Sequence, residues 1–186
     1  MKPIVIPFTL ALCVLAAPAA IAQSALGLET IGASVGFVSP EDLGSTFSLG
    51  AYAGCGTIAP NVGLETRLDY WSTSENVYGF ESSLRDIALG ARAKYFFNVT
   101  GSTIRPFAGG GLGIHFLRAE VTIPAFFGMP AQSASESDTK FGVDMGGGFA
   151  TALSPKYDLI GEAWFGIVSN LNQLSLRVGL SYKLGS

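Results

Sequence analysis

The stretch from Arg105 to Phe116, "RPFAGGGLGIHF", carries a glycine run and the only histidine of the chain. These are the residue types most suggestive of chemistry. Glycines cradle phosphate when they follow a strand, open a helix and are spaced G-x-G-x-x-G. Gly109, Gly110, Gly111 and Gly113 miss that spacing, and no helical pattern follows them. A metal centre needs several nitrogen, sulfur or carboxylate ligands, and His115 has no second histidine or nearby cysteine to join it. The run therefore predicts a structural element, with His115 as a hydrogen-bonding residue.

The other groups able to act chemically are charged side chains that recur at every second position. "VGLETRLDY" alternates Val62, Leu64, Thr66, Leu68 and Tyr70 with Gly63, Glu65, Arg67 and Asp69. "DIALGARAKYF" sets Ile87, Leu89, Ala91, Ala93 and Tyr95 against Asp86, Gly90, Arg92 and Lys94. In "LSLRVGLSYKL", Leu174, Leu176, Val178, Leu180, Tyr182 and Leu184 share one face, and Arg177, Gly179 and Lys183 lie on the other. Period two is the mark of a strand with two unlike faces. Eight such strands are expected, near 29–38, 46–55, 62–72, 84–97, 103–118, 139–153, 156–167 and 174–184. Each is about long enough to cross a bilayer at a tilt of roughly 45°.

Alternation suits a soluble barrel or sandwich with its apolar face inward. It equally suits a membrane barrel with that face toward lipid. The polar faces favour the second. They carry Glu65, Arg67, Asp69, Asp86, Arg92, Lys94, Arg105, Lys140, Asp144, Asp158, Glu162, Arg177 and Lys183. This near-balance of charge fits a narrow lumen where ions pair, whereas a soluble surface usually carries more Lys and Glu. Glycines on the same parity, Gly109, Gly111 and Gly113 with Gly142, Gly146 and Gly148, leave room for long side chains.

The N-terminus points the same way. Lys2 precedes an apolar run from Ile4 to Ala22 that ends Ala20-Ile21-Ala22, the form of a secretory signal cut before Gln23. Cys13 offers a lipoprotein alternative, disfavoured by the bulky Leu12 before it. Removing residues 1–22 takes Lys2 away, so the formal net charge moves from −3 to −4. Residues 23–186 have the length of one domain. Basic residues are spaced singly, so no nucleic-acid footprint is expected. Cys55 is then the sole cysteine, expected as a small apolar residue.

With the N-terminus periplasmic, the longer links "SPEDLGS", "STSENVYGFESS" and "PAFFGMPAQSASESD" fall outside the cell, with the shorter "VSNLNQ". "GTIAPN", "NVTGS" and "SPK" make periplasmic turns. Long outer loops with tight inner turns are the pattern of outer-membrane barrels. Tyr70-Trp71, Tyr95-Phe96-Phe97, Trp164-Phe165 and Tyr182 are expected in aromatic girdles at the headgroups.

The sequence expectation is thus an all-β fold, an eight-stranded antiparallel up-and-down transmembrane β-barrel with a polar lumen. Residues 24–184 resemble the small outer-membrane barrels of the OmpA-like and opacity-protein type. "RPFAGGGLGIHF" is similar to that family's Pro-aromatic-x-Gly-x-Gly-x-Gly strand. Arg177, Gly179, Tyr182 and Leu184 are similar to its terminal assembly signal, though Gly185-Ser186 follow where many members end on Phe. The resemblance implies a Gram-negative outer membrane and assembly by the barrel-insertion machinery with periplasmic chaperones. No peptidoglycan-binding domain follows the barrel, so wall anchoring is not implied.

Three functions compete. The leading one is a structural or surface-interaction barrel whose extracellular loops meet a partner, with Phe126, Phe127 and Met129 as loop contacts or rim packing. The second is a narrow porin-like channel, which a lumen filled by side chains disfavours. The third is an outer-membrane lipid hydrolase with a Ser-His pair. Such enzymes resemble one another in a lipid-facing His-x-Ser, whereas Phe116-Leu117 follow His115 on the inward parity. No enzyme activity, cofactor or metal is expected. The lipid bilayer is the partner in every reading.

Overall fold

The computed structural model describes residues 25–41, 43–77, 80–123, 132–169 and 171–185. Alternating β-branched, aromatic and small residues extend into β1 (Ala25–Pro40), β2 (Thr46–Ala59), β3 (Val62–Val77) and β4 (Phe80–Phe96). They continue as β5 (Ile104–Ile123), β6 (Gln132–Ala152), β7 (Tyr157–Val168) and β8 (Leu171–Lys183). Each strand pairs antiparallel with the next, and β8 returns to β1 with Val178 opposite Val35. The barrel is closed. Closure satisfies the backbone of both terminal strands, which an open edge in hydrocarbon would leave without partners.

Parity sorts the side chains. Leu68 and Leu89 are 44% and 52% exposed on the outer face, whereas Arg67 and Arg92, at positions of the opposite parity, are each 5% exposed. Phe141, Met145, Leu176 and Val178 continue the outer apolar band. The turns at the end of the barrel that carries both chain termini are tight. Pro60-Asn61 joins β2 to β3 with Asn61 at φ 62°, and Gly101 sits at φ 78° between β4 and β5. Asn and Gly tolerate that left-handed region better than other residues.

Two expectations need correction. Residues 72–77, 80–83 and 132–138, expected in loops, are strand. β3 and β4 stay paired as far as Val77↔Phe80, and β5 and β6 as far as Ile123↔Gln132. Outside the bilayer both faces of a sheet meet water, so β6 continues there as polar "SASESD" without alternation, whereas β5 keeps Leu117, Ala119, Val121 and Ile123 alternating with Arg118, Glu120 and Thr122. The neighbours stop earlier: β2 begins at Thr46, whose Oγ1 donates to the Ser72 carbonyl at 2.7 Å. β7 last pairs with β6 at Gly142↔Val168. A four-stranded outgrowth, β3 to β6, therefore rises above a lower rim. On β6, residues 132–141 lie beyond the last β7 pair, roughly 30 Å of strand at about 3.3 Å per residue.

The second correction concerns the tryptophans. Trp71 and Trp164 are each 1% exposed, inside the barrel rather than in a girdle. Their neighbours Tyr70 and Phe165 stay outside. Trp71 shares its parity with Arg67 and Asp69, and Trp164 with Glu162, so alternation overrides the interfacial preference of indole.

Candidate functional site

The barrel interior gathers most of the ionisable residues expected there. Glu65, Arg67 and Asp69 follow one another on the inner face of β3. Arg67 occupies the centre. Its Nη1 donates to Glu162 at 2.9 Å and lies 3.4 Å from Glu65, and its Nε donates to Asp69 Oδ2 at 2.7 Å. Gly50, opposite Asp69 on β2, leaves room for that pair, since a Cβ there would lie 2.6 Å from Asp69 Oδ1 and 3.5 Å from Arg67 Nη2. Lys94 donates to Glu65 at 2.6 Å and to Glu162 at 3.2 Å. Arg177 on β8 crosses the interior to Asp69.

Arg92 donates through Nη2 to Asp144 at 2.7 Å, while its guanidinium carbon lies 4.0 Å from the Trp164 ring centre. Four carboxylates (Glu65, Asp69, Asp144, Glu162) thus meet four cations (Arg67, Arg92, Lys94, Arg177). A buried charge with no partner costs several kcal/mol. Mutual neutralisation is what lets this set occupy so narrow a space.

Two residues expected among the ion pairs behave otherwise. Asp86 pairs with His115, its Oδ2 lying 2.8 Å from the imidazole Nδ1, and among the described residues it meets no arginine or lysine. His115 is therefore a buried hydrogen-bonding residue on the inner face of β5. Arg105 is exposed at the periplasmic end, and its guanidinium stacks 4.7 Å over the Phe96 ring. Aromatic stacking satisfies a planar guanidinium, and at that level the carboxylate of Asp158 is taken by Lys183 at 2.7 Å.

Along the barrel axis the interior changes character. At the end that carries both chain termini a cavity of about 600 Å³ opens among Thr30, Tyr52, Phe96, Arg105, Phe107 and Lys183. The ion cluster closes its inner end. A smaller cavity of about 40 Å³ lies against the cluster beside Trp71, Asp86, His115 and Trp164. Val38, Leu117 and Val168, all buried, lie further toward the opposite end. No group of carboxylate, histidine or cysteine ligands fit for a metal occurs among the described residues.

The final-strand residues occupy definite places. Arg177 belongs to the ion cluster. Gly179 faces Ser34, and a Cβ there would lie 3.0 Å from both the Ala33 carbonyl and the Tyr52 hydroxyl. Tyr182 packs against Tyr157 with ring centres 5.2 Å apart, and Leu184 is exposed on the outer face. Phe126, Phe127 and Met129 lie outside the described residues. Sequence reasoning missed the roles of Trp71 and Trp164, although their parity signalled them.

The eight-strand ring, apolar outside and ion-paired within, can be set beside known proteins. The sequence profile of the "Outer membrane protein beta-barrel domain" matches residues 8–183. The chain belongs to the outer membrane protein beta-barrel domain family. Solved members of this architecture match the barrel over nearly their full lengths. Neisserial surface protein A is 19% identical with a TM-score of 0.64, covering 83% of this chain and 96% of that one. A major outer membrane protein from Thermus thermophilus is 15% identical, with a TM-score of 0.58 over 83% and 99% of the two chains. Ail, the attachment invasion locus protein of Yersinia pestis, is 14% identical, with a TM-score of 0.54 over 84% and 99%. No curated protein matches the sequence. Likeness at these identities is likeness of fold. Family membership gives this outer membrane protein beta-barrel domain its place, the outer membrane.

Proposed function

We propose that this barrel is a non-conducting surface protein whose contacts with other molecules are made by the β3–β6 outgrowth and the links at its crest. The observation that carries the reading is the contrast between its two ends. The interior is blocked by a neutral ion cluster and by Trp71, Val38 and Val168, while half of the strands continue well past the rim. A solute channel needs a continuous aqueous path, and an interior of eight strands is just filled by side chains. A surface-contact protein needs a rigid platform held away from the membrane, which paired strands supply better than loose loops. The names surface protein and attachment invasion locus protein, carried by two barrels of this fold, agree with such a role.

Two measurements test it. Refolded protein in a planar bilayer should show no stepwise conductance; steady single-channel events would replace this reading with the porin-like one. Cells displaying the protein should attach to neighbouring cells or coated surfaces more than cells displaying a variant trimmed to the lower rim, with residues 73–82 and 117–138 each replaced by a short turn. Equal attachment by correctly inserted forms would remove the role from the outgrowth.

A further inference from the structure

We propose that Arg85 and Arg118 form a binding site for the phosphate of an anionic outer-leaflet lipid, on the outside of the barrel where the apolar band ends. Their placement is unlike that of every other cation on the strands. The other strand lysines and arginines occupy inward positions, and Lys156 lies in the β6–β7 turn. Arg85 and Arg118 alone point away from the barrel axis, and the β4–β5 register sets them directly opposite each other. Both are exposed, and among the described residues neither has an ion pair. Like charges directly opposite on a sheet destabilise it, so the pair is set up for an anion to neutralise it.

The rows on either side fix its height. The row below reads Tyr70, Ile87, Phe116 and Thr139, with exposed apolar side chains at its first three positions. The pair's own row reads Ser72, Arg85, Arg118 and Ser137. Further out on the same face stand Ser74, Ser83, Glu120 and Ser135, and among the described residues no large apolar side chain follows on that face. The arginines therefore stand at the first polar level above hydrocarbon, where lipid phosphates lie. Glu120 and Glu81 are one and two rows further out, and neither is paired with an arginine. Facing guanidiniums roughly 5 Å apart at their Cβ atoms offer planar forks that suit phosphate oxygens. Ser72 and Ser137 add a hydroxyl at each end. The apolar row beneath holds acyl chains, and this selects a lipid-borne phosphate over a soluble one.

The test uses the full refolded barrel in phosphatidylcholine vesicles doped with phosphatidic acid, or with diacylglycerol, which lacks the phosphate. Native mass spectrometry of the extracted protein counts the lipid retained. Wild type should retain phosphatidic acid over diacylglycerol, and R85Q/R118Q should retain roughly tenfold less, as expected for two lost charge contacts at a membrane surface. R85K/R118K should fall between them, keeping charge and losing the fork. Should the double variant fail the heat-modifiability check for folding, R118Q alone is read in the same assay. Equal retention by wild type and the folded Gln variants overturns the site. Complete displacement by inorganic phosphate overturns the lipid assignment.

Discussion

Arg92 and Asp144 lie on strands that do not touch, and they are joined across Gly111. Arg92 on β4 and Asp144 on β6 are both direct register partners of Gly111 on β5. A Cβ at Gly111 would lie 2.5 Å from Asp144 Oδ1 and 2.6 Å from Arg92 Cγ. The glycine is the floor over which the ion pair closes. This is the mechanical role of the glycine run in β5.

Gly111→Val should therefore cost stability through steric overlap, about 1–3 kcal/mol as for an overfilled core. Arg92→Gln leaves Asp144 without its partner and should cost about 3 kcal/mol, and Asp144→Asn should cost less because Arg92 keeps Glu162 at 3.6 Å. The double change should cost less than the two added together, since coupled residues are non-additive. Urea titrations of protein refolded in lipid vesicles provide all the values. Strict additivity of the pair would sever the link.

Parity makes a second prediction. Leu68→Arg and Leu89→Arg put charge into lipid and should cost roughly 2–4 kcal/mol near the midplane. Arg67→Gln strips a cation from Glu65, Asp69 and Glu162 together, and should cost about 3–5 kcal/mol. Arg67→Lys keeps the charge and should recover part of the loss. Harmless Leu→Arg changes in the same titrations would mean that this face does not meet hydrocarbon.

The tryptophans provide an optical test. Trp71 and Trp164 are the only two in the chain, and both face inward. Brominated acyl chains should quench the wild-type emission weakly. In a Trp71→Phe/Trp164→Phe background, Phe165→Trp or Tyr70→Trp moves the indole to the outer face, and quenching should become strong. If wild type were quenched as fully as these variants, the indoles would belong to the girdle after all.

Assembly is tested at the last strand. Tyr182→Ser with Leu184→Ser should lower the folded, heat-modifiable fraction in cells, because these residues carry the outer face of β8 at its periplasmic end. Phe126→Ser with Phe127→Ser should leave insertion unchanged. Pulse-chase with unboiled electrophoresis compares the two, and mass measurement of the mature chain should show residues 1–22 removed. Normal insertion of the β8 variant beside failure of the loop variant would refute the assembly signal.

Much of the barrel was legible because hydrocarbon enforces a binary code. Leu174 to Lys183 alternates without a break, and so does the structure. The code also contained Trp71 and Trp164, but local chemistry, indole's preference for interfaces, argued against their parity and was the weaker guide. The identity of each ion pair was not legible. Asp86 finds His115 and Arg105 finds Phe96, because partner choice depends on height and stagger between strands, which spacing along one strand does not encode. The outgrowth was hidden for another reason. "TSEN" and "SASESD" carry polar residues on both faces and leave no clear periodic trace, and the alternation of Leu117, Ala119, Val121 and Ile123 on β5 had no such partner pattern to pair with.

The unequal height of the strands gives the molecule a front and a back. A plain cylinder would offer the same profile to neighbours from every bearing in the plane of the membrane. Here the low sector formed by β7, β8, β1 and β2 is a notch, and β3 to β6 stand behind it like a vane. A large molecule arriving flat on the cell can reach over the notch, whereas from the opposite bearing it meets the outer wall of the vane first. Spinning about its own axis thus becomes an orientational variable for encounter. Whatever fixes that spin, such as a tethered lipid or an adjacent barrel, also sets which side the notch presents.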